Sequence, residues 1–247
     1  MNNNACLEVC CDSYESFKIA EKAGAQRVEL CSCLMVGGLS PDSALMEMIR
    51  EESELKVRCL IRPRFGDFLY SDHEVELMAR QIINLKACGA DGFVIGCLTP
   101  EGELNKKQME KLISAAGYSG LTLHRCIDVS KDGIKTAKEA AELGIDTILS
   151  SGQAATCWEG RGFLKRLIDE KLPVTVMPGA GVNAEVIKKI REILPVNTFH
   201  MSGKEIIDSK MEFRRQGVPM GLPGFDEFSI WRSSEKAIKA ALKELGA

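Results

Sequence analysis

Short apolar runs recur along this chain, separated by longer segments in which apolar residues return every three or four positions. The short runs fit buried strands and the longer segments amphipathic helices. Eight strands are predicted near Ala5–Cys10, Arg27–Cys31, Lys56–Ile61, Gly92–Ile95, Leu121–Arg125, Thr147–Leu149, Val174–Met177 and Thr198–Met201. Three connections share one pattern: Ala23-Gly24-Ala25, Cys88-Gly89-Ala90 and Leu143-Gly144-Ile145. In each, a glycine supplies the left-handed residue that stops a helix, and the link is short enough to lead straight into a strand. Helix starts are expected at Ser13, at Ser40 followed by Pro41, and at Asn105, whose partner in a capping box is Gln108. Strands alternating with helices predict a parallel sheet sheathed in helices, and eight such units predict a closed (β/α)8 or TIM barrel. We read residues 1–247 as one domain, with the barrel over about 5–203 and a C-terminal part over about 204–247. The rhythm breaks from Lys204 to Phe228: Gln216–Gly224, rich in Gly and Pro, predicts a long loop, and Ser233–Leu245 predicts a closing helix.

Composition narrows the function classes. With 45% apolar and 27% charged residues the chain is neither disordered nor of low complexity. Thirty-two Lys and Arg against 35 Asp and Glu, a net charge of −3, argue against a nucleic-acid or anionic-membrane binder. No apolar run approaches the ~18 residues of a membrane span. The opening MNNNACLEVCCDS lacks the charged and apolar regions of a signal peptide, so a cytosolic protein is expected. The ten cysteines contain no C-x-x-C spacing, which disfavours zinc ribbons, iron–sulfur clusters and thioredoxin-type sites and fits reduced thiols.

A barrel of this kind carries its chemistry at the C-terminal ends of its strands. Strand alternation puts Cys6, Glu8 and Cys10 on one face of the first strand, and Glu29, Cys31 and Cys33 on one face of the second if that strand runs far enough. Glu8 and Glu29 then point inward, with Cys10 and Cys31 a step nearer the mouth. The third strand ends in Ile61-Arg62-Pro63-Arg64, the fifth in Leu123-His124-Arg125 and the eighth in Phe199-His200-Met201. The carboxylates could simply pair with Arg62, Arg125 or a histidine and hold the interior together. Two carboxylates, two histidines and several arginines on one rim exceed what packing requires.

Gly179-Ala180-Gly181-Val182-Asn183-Ala184 fits G-x-G-x-x-A, but it lies in the seventh unit with no acidic residue closing the next strand, so no nucleotide cofactor is expected. Its position suits phosphate binding instead, through Gly179 and Gly181, with Ser151 and Gly152 adding donors after the sixth strand. Arg62, Arg64 and Arg125 are the side chains expected to bind an anion. Cys10, Cys31 and Cys33 are candidate ligands for a soft ion, Cu(I) above all, or else buried apolar filler. His73, in Ser71-Asp72-His73-Glu74, reads as solvated at a helix start.

Together, Leu7-Glu8-Val9-Cys10, Arg27-Val28-Glu29-Leu30-Cys31, Gly37-Gly38-Leu39-Ser40-Pro41, Ile61-Arg62-Pro63-Arg64 with Gly66-Asp67-Phe68-Leu69-Tyr70-Ser71, Leu98-Thr99-Pro100-Glu101-Gly102, His124-Arg125 with Asp128, Ser150-Ser151-Gly152-Gln153 and Pro178-Gly179-Ala180-Gly181-Val182 resemble the CutC copper homeostasis family. The resemblance runs in order from Leu7 to the closing helix. It implies a cytosolic TIM barrel that forms homo-oligomers, and a link to copper tolerance and Cu(I) binding; it brings no agreed reaction. The sequence departs from the usual pattern at Gly179-Ala180-Gly181, where members carry three or more consecutive glycines, and at Ser150, usually Thr. Cys11 and Cys33 do not carry over from the family. Two functions stay open. One is a copper protein binding Cu(I) through Cys10 and Cys31, with Cys33 or a histidine completing the site. The other is an enzyme acting on a small anionic, possibly phosphorylated, substrate, with Glu8 or Glu29 as acid or base and His124 and His200 as proton carriers or electrophiles.

Overall fold

The structure, a computed structural model, describes residues 5–215, 217, 218, 220, 221 and 226–246. It is a (β/α)8 barrel. In chain order β1 (Cys6–Cys11), α1 (Tyr14–Ala23), β2 (Arg27–Leu30), α2 (Ser43–Glu52), β3 (Lys56–Leu60), α3 (Asp72–Ala87), β4 (Gly92–Ile95) and α4 (Lys106–Ala116) form its first half. Then come β5 (Gly120–Leu123), α5 (Gly133–Glu142), β6 (Thr147–Ser150), α6 (Arg161–Asp169), β7 (Thr175–Pro178), α7 (Ala184–Ile193) and β8 (Thr198–Met201). All ladders between these strands are parallel, in the order β7-β6-β5-β4-β3-β2-β1-β8. β7 and β8 touch but share no ladder among the described residues, so the barrel is nearly closed.

The strands are buried on both faces, which is why they read as short unbroken apolar runs. Leu7, Val9, Val28, Leu30 and Phe199 face outward under the helices and join Phe17, Ile49 and Ile82 in the main core. The repeated glycines are left-handed, with φ of 95° at Gly24, 92° at Gly89 and 87° at Gly144, a region costly for any side chain. Ser13 and Asn105 cap α1 and α4, accepting the N–H groups of Ser16 and Gln108.

Three local expectations are corrected. The second helix begins after Asp42, not Ser40, because the Ser40 hydroxyl accepts the Arg62 N–H and donates to Gln81. Asn105 and Gln108 make only half a capping box, since the Asn105 N–H donates to the Cys97 carbonyl and not to the Gln108 side chain. The C-terminal part is not only loop: β9 (Lys204–Asp208) and β10 (Ser229–Ser233) pair antiparallel, and α8 (Glu235–Leu245) packs on α1 and α7. Of the predicted loop Gln216–Gly224, residues 216, 219 and 222–224 lie outside the described residues.

Candidate functional site

Register builds the interior. Glu8 is the partner of Arg27 on β2 and of His200 on β8, so three polar side chains from adjacent strands meet in one layer. Glu8 is fully buried; one carboxylate oxygen accepts from Arg27 Nε and the other lies 2.8 Å from His200 Nδ1. Burial alone would raise the Glu8 pKa, but hydrogen bonding and charge from His200 and Arg27 bring it down to about 2. Burial opposes a charged His200, yet Glu29, Cys10 and Glu8 outweigh it and hold its pKa well above the ordinary value.

One step nearer the mouth, Cys10 is the register partner of Glu29. The Cys10 thiol lies 3.3 Å from Glu29 Oε1 and 3.6 Å from the Cys31 sulfur. Ligand atoms of Cys10, Glu29 and His200 all lie within 4.8 Å of one another. The Cys31 contact and burial push the Cys10 thiol well up; for Cys31 the same contact works downward, but burial and Glu29 leave its pKa raised. Burial likewise raises Glu29.

Across the mouth stands His124, buried and 4.6 Å from the Phe68 ring. Its Nδ1 accepts the Cys126 N–H at 3.1 Å, so the ring proton sits on Nε2. Burial, then the charge of Arg62, lowers its pKa to about 3, and it is neutral. Arg62 bridges loops, donating to the carbonyls of Val36, Gly38 and Gly66. Between these walls lies a cavity of about 420 Å³, bounded also by Leu34, Phe68, Arg125, Gly181 and Lys204.

Several predicted site residues stand elsewhere. Cys33 is exposed: β2 ends at Leu30 and Ser32 pairs antiparallel with Leu39, which breaks the alternation that would have turned Cys33 inward. Arg64 does not line the cavity; it pairs with Asp67 and Glu74. The donors assigned to a ligand after β6 are satisfied by protein. Asp128 accepts the Ser150 and Ser151 hydroxyls and the N–H groups of Ser151 and Gln153, and the Gly152 N–H donates to Ser150 Oγ at 2.8 Å. The Gly179 N–H donates to the Ser150 carbonyl at 3.0 Å. Arg125 lines the cavity but spends two nitrogens on Asp128 and Ser151. Gly181 lines it with an N–H that meets no protein acceptor among the described residues. Sequence reasoning missed Arg27, although its place two residues before Glu29 on β2 puts both on one face. Asp128 was noted only within a motif.

The sequence compares with known proteins along most of its length. The model of the CutC family matches residues 5–205. This chain belongs to the CutC family. The copper homeostasis protein cutC homolog of Mus musculus is 39% identical over 220 residues, covering 89% of this chain and 81% of the relative. The family protein CutC of Histophilus somni (strain 2336) is 37% identical over 238 residues, 96% of this chain and 98% of the relative. Among solved structures, a copper homeostasis protein CutC from Streptococcus agalactiae superposes with a TM-score of 0.76 at 28% identity, covering 80% of this chain and 98% of that one. An aldolase, QR15, superposes with a TM-score of 0.59 at 15% identity over 81% of this chain and 90% of that one, a likeness of fold alone. The family that the sequence resembles is thus the family it belongs to. The residues that converge at the barrel mouth come from the ends of β1, β2 and β8, all within the matched span.

Proposed function

We propose that this CutC protein takes part in copper homeostasis by binding Cu(I) as cargo at the barrel mouth, through Cys10 and Cys31 with His200 beside them. The observation that carries this reading is the pair of thiols 3.6 Å apart, Cys10 on β1 lining the cavity and Cys31 just past β2 buried behind it. Soft sulfur ligands select Cu(I). The donor set fits: the Glu8 carboxylate holds His200 by Nδ1, the orientation in which its other nitrogen can turn to a metal. Copper loading has to displace protons from both thiols and from His200. The reading places the protein in the cytosol, as an oligomer of one-domain chains. Its ten cysteines are all free, and no described helix is long and apolar enough to cross a membrane. X-ray absorption on protein loaded anaerobically with one equivalent of Cu(I) tests it. We expect two sulfur scatterers, falling to one in Cys10→Ser; a copper shell of nitrogen and oxygen only would overturn the reading.

A second reading is acid–base catalysis on a small anion in the same cavity. It is favoured by the contrast between Glu8, whose pKa His200 and Arg27 hold low, and Glu29 above it, whose pKa burial raises, two carboxyls driven apart by their surroundings.

A further inference from the structure

Among the described residues, six buried side-chain atoms have no hydrogen-bond partner, and three of these belong to residues lining the same cavity: Glu29 Oε2, Arg62 Nε and His124 Nε2. Their residues are 4%, 8% and 4% exposed. An unpartnered buried polar atom forfeits its hydration without recompense, so three around one void point to a ligand that completes them.

Their chemistry defines that ligand. Arg62 has given three of its four terminal N–H groups to backbone carbonyls, and its Nε–H has no partner among the described residues. His124 offers Nε2–H, because its other nitrogen accepts the Cys126 N–H. Both are donors, and Arg62 adds a positive charge. Glu29 has given one oxygen to the Cys10 thiol and keeps the other as an acceptor. Leu34, Leu60, Phe68, Leu149 and Val182 supply an apolar wall for a short carbon body. Arg125 and Lys204 at the edge favour a negative ligand. A phosphoryl group would need clustered backbone donors; of the four read for it, Ser151, Gly152 and Gly179 have spent theirs within the protein, and Gly181 keeps its own.

We propose that this cavity binds a small hydroxycarboxylate, its carboxylate accepting from Arg62 and His124 and its hydroxyl donating to Glu29. The inference rests on the acid–base reading and names its substrate class, and it moves the anion from the glycine loop to the Arg62–His124 wall. The carbon bearing the hydroxyl then lies on the side of Glu29 and His200.

Calorimetry on reduced, metal-free protein tests this with four probes: lactate, propionate (the same carboxylate without the hydroxyl), inorganic phosphate and ethyl phosphate. Lactate is expected to bind saturably and propionate about tenfold more weakly, the loss of one hydrogen bond. Glu29→Gln should reduce lactate to about the propionate level. His124→Ala should weaken both carboxylates. NMR of wild-type protein with labelled histidine needs no variant: lactate should shift the His124 Nε2–H signal and leave His73 unmoved. Phosphates binding in preference to lactate, or lactate binding with His124 unmoved, would overturn the inference while leaving acid–base chemistry on another anion standing. If none of the four binds, the inference falls, and the acid–base reading stands or falls on other anions.

Discussion

Glu8 accepts from a guanidinium on one side and an imidazole on the other, and its charge helps raise the pKa of His200. Its folded pKa of about 2 lies below the usual 4.5, so its contribution to stability is complete above pH 4.5 and is lost as pH falls toward 2. His200 is raised above 6.5, so its contribution is complete below that pH and is lost as pH rises through the folded value. Chemical denaturation across pH should therefore show the pair's full contribution between pH 4.5 and 6.5. Glu8→Gln should cost about 3–5 kcal/mol there, because it leaves Arg27 and His200 without their counter-charge. It should also flatten both limbs; an unchanged profile would show that the pair carries no such charge. The sequence made the inward face of Glu8 legible through alternation alone. It did not show which cation answers it, because that depends on the register of three strands distant in the chain.

At the scale of elements, the loops after β5 and β6 are one structure, tied by Asp128 to the hydroxyls and amides of Ser150, Ser151 and Gln153. Asp128→Ala should cost about 1–3 kcal/mol, the penalty for buried groups left unpaired. Hydrogen exchange should speed up at the Ser151 and Gln153 amides; unaltered protection would refute the tie. Gly152 has φ +75°, and a Cβ there would stand 2.1 Å from the Gly160 carbonyl oxygen, so Gly152→Ala should lower the melting temperature measurably. The alternation of strand and helix was readable from the sequence, and the predicted bounds of β4 and β8 are those observed. Alternation misled where a strand stops early. β2 ends at Leu30 and β5 at Leu123, where the chain turns into a short 3-10 helix at Arg125–Val129, so extrapolating strand geometry to Cys33 failed. The donors of the β6 loop read as free because their partner lies more than twenty residues earlier.

At the scale of the molecule, the barrel brings β1, β2 and β8 together at one wall of the cavity and the β3 and β5 loops at the other. The first wall gathers thiols over a charged pair, and the second offers neutral or bound donors. Cu(I) binding at the first wall must release protons, so affinity should rise with pH, in contrast to a surface carboxylate site. Competition for Cu(I) against a chromophoric chelator, measured anaerobically on wild type, Cys10→Ser, Cys31→Ser and Cys33→Ser, addresses the site most directly. The account predicts one tight site in wild type and Cys33→Ser, weakened by at least about tenfold in either of the other two variants. Equal stoichiometry and affinity in all four proteins would contradict it.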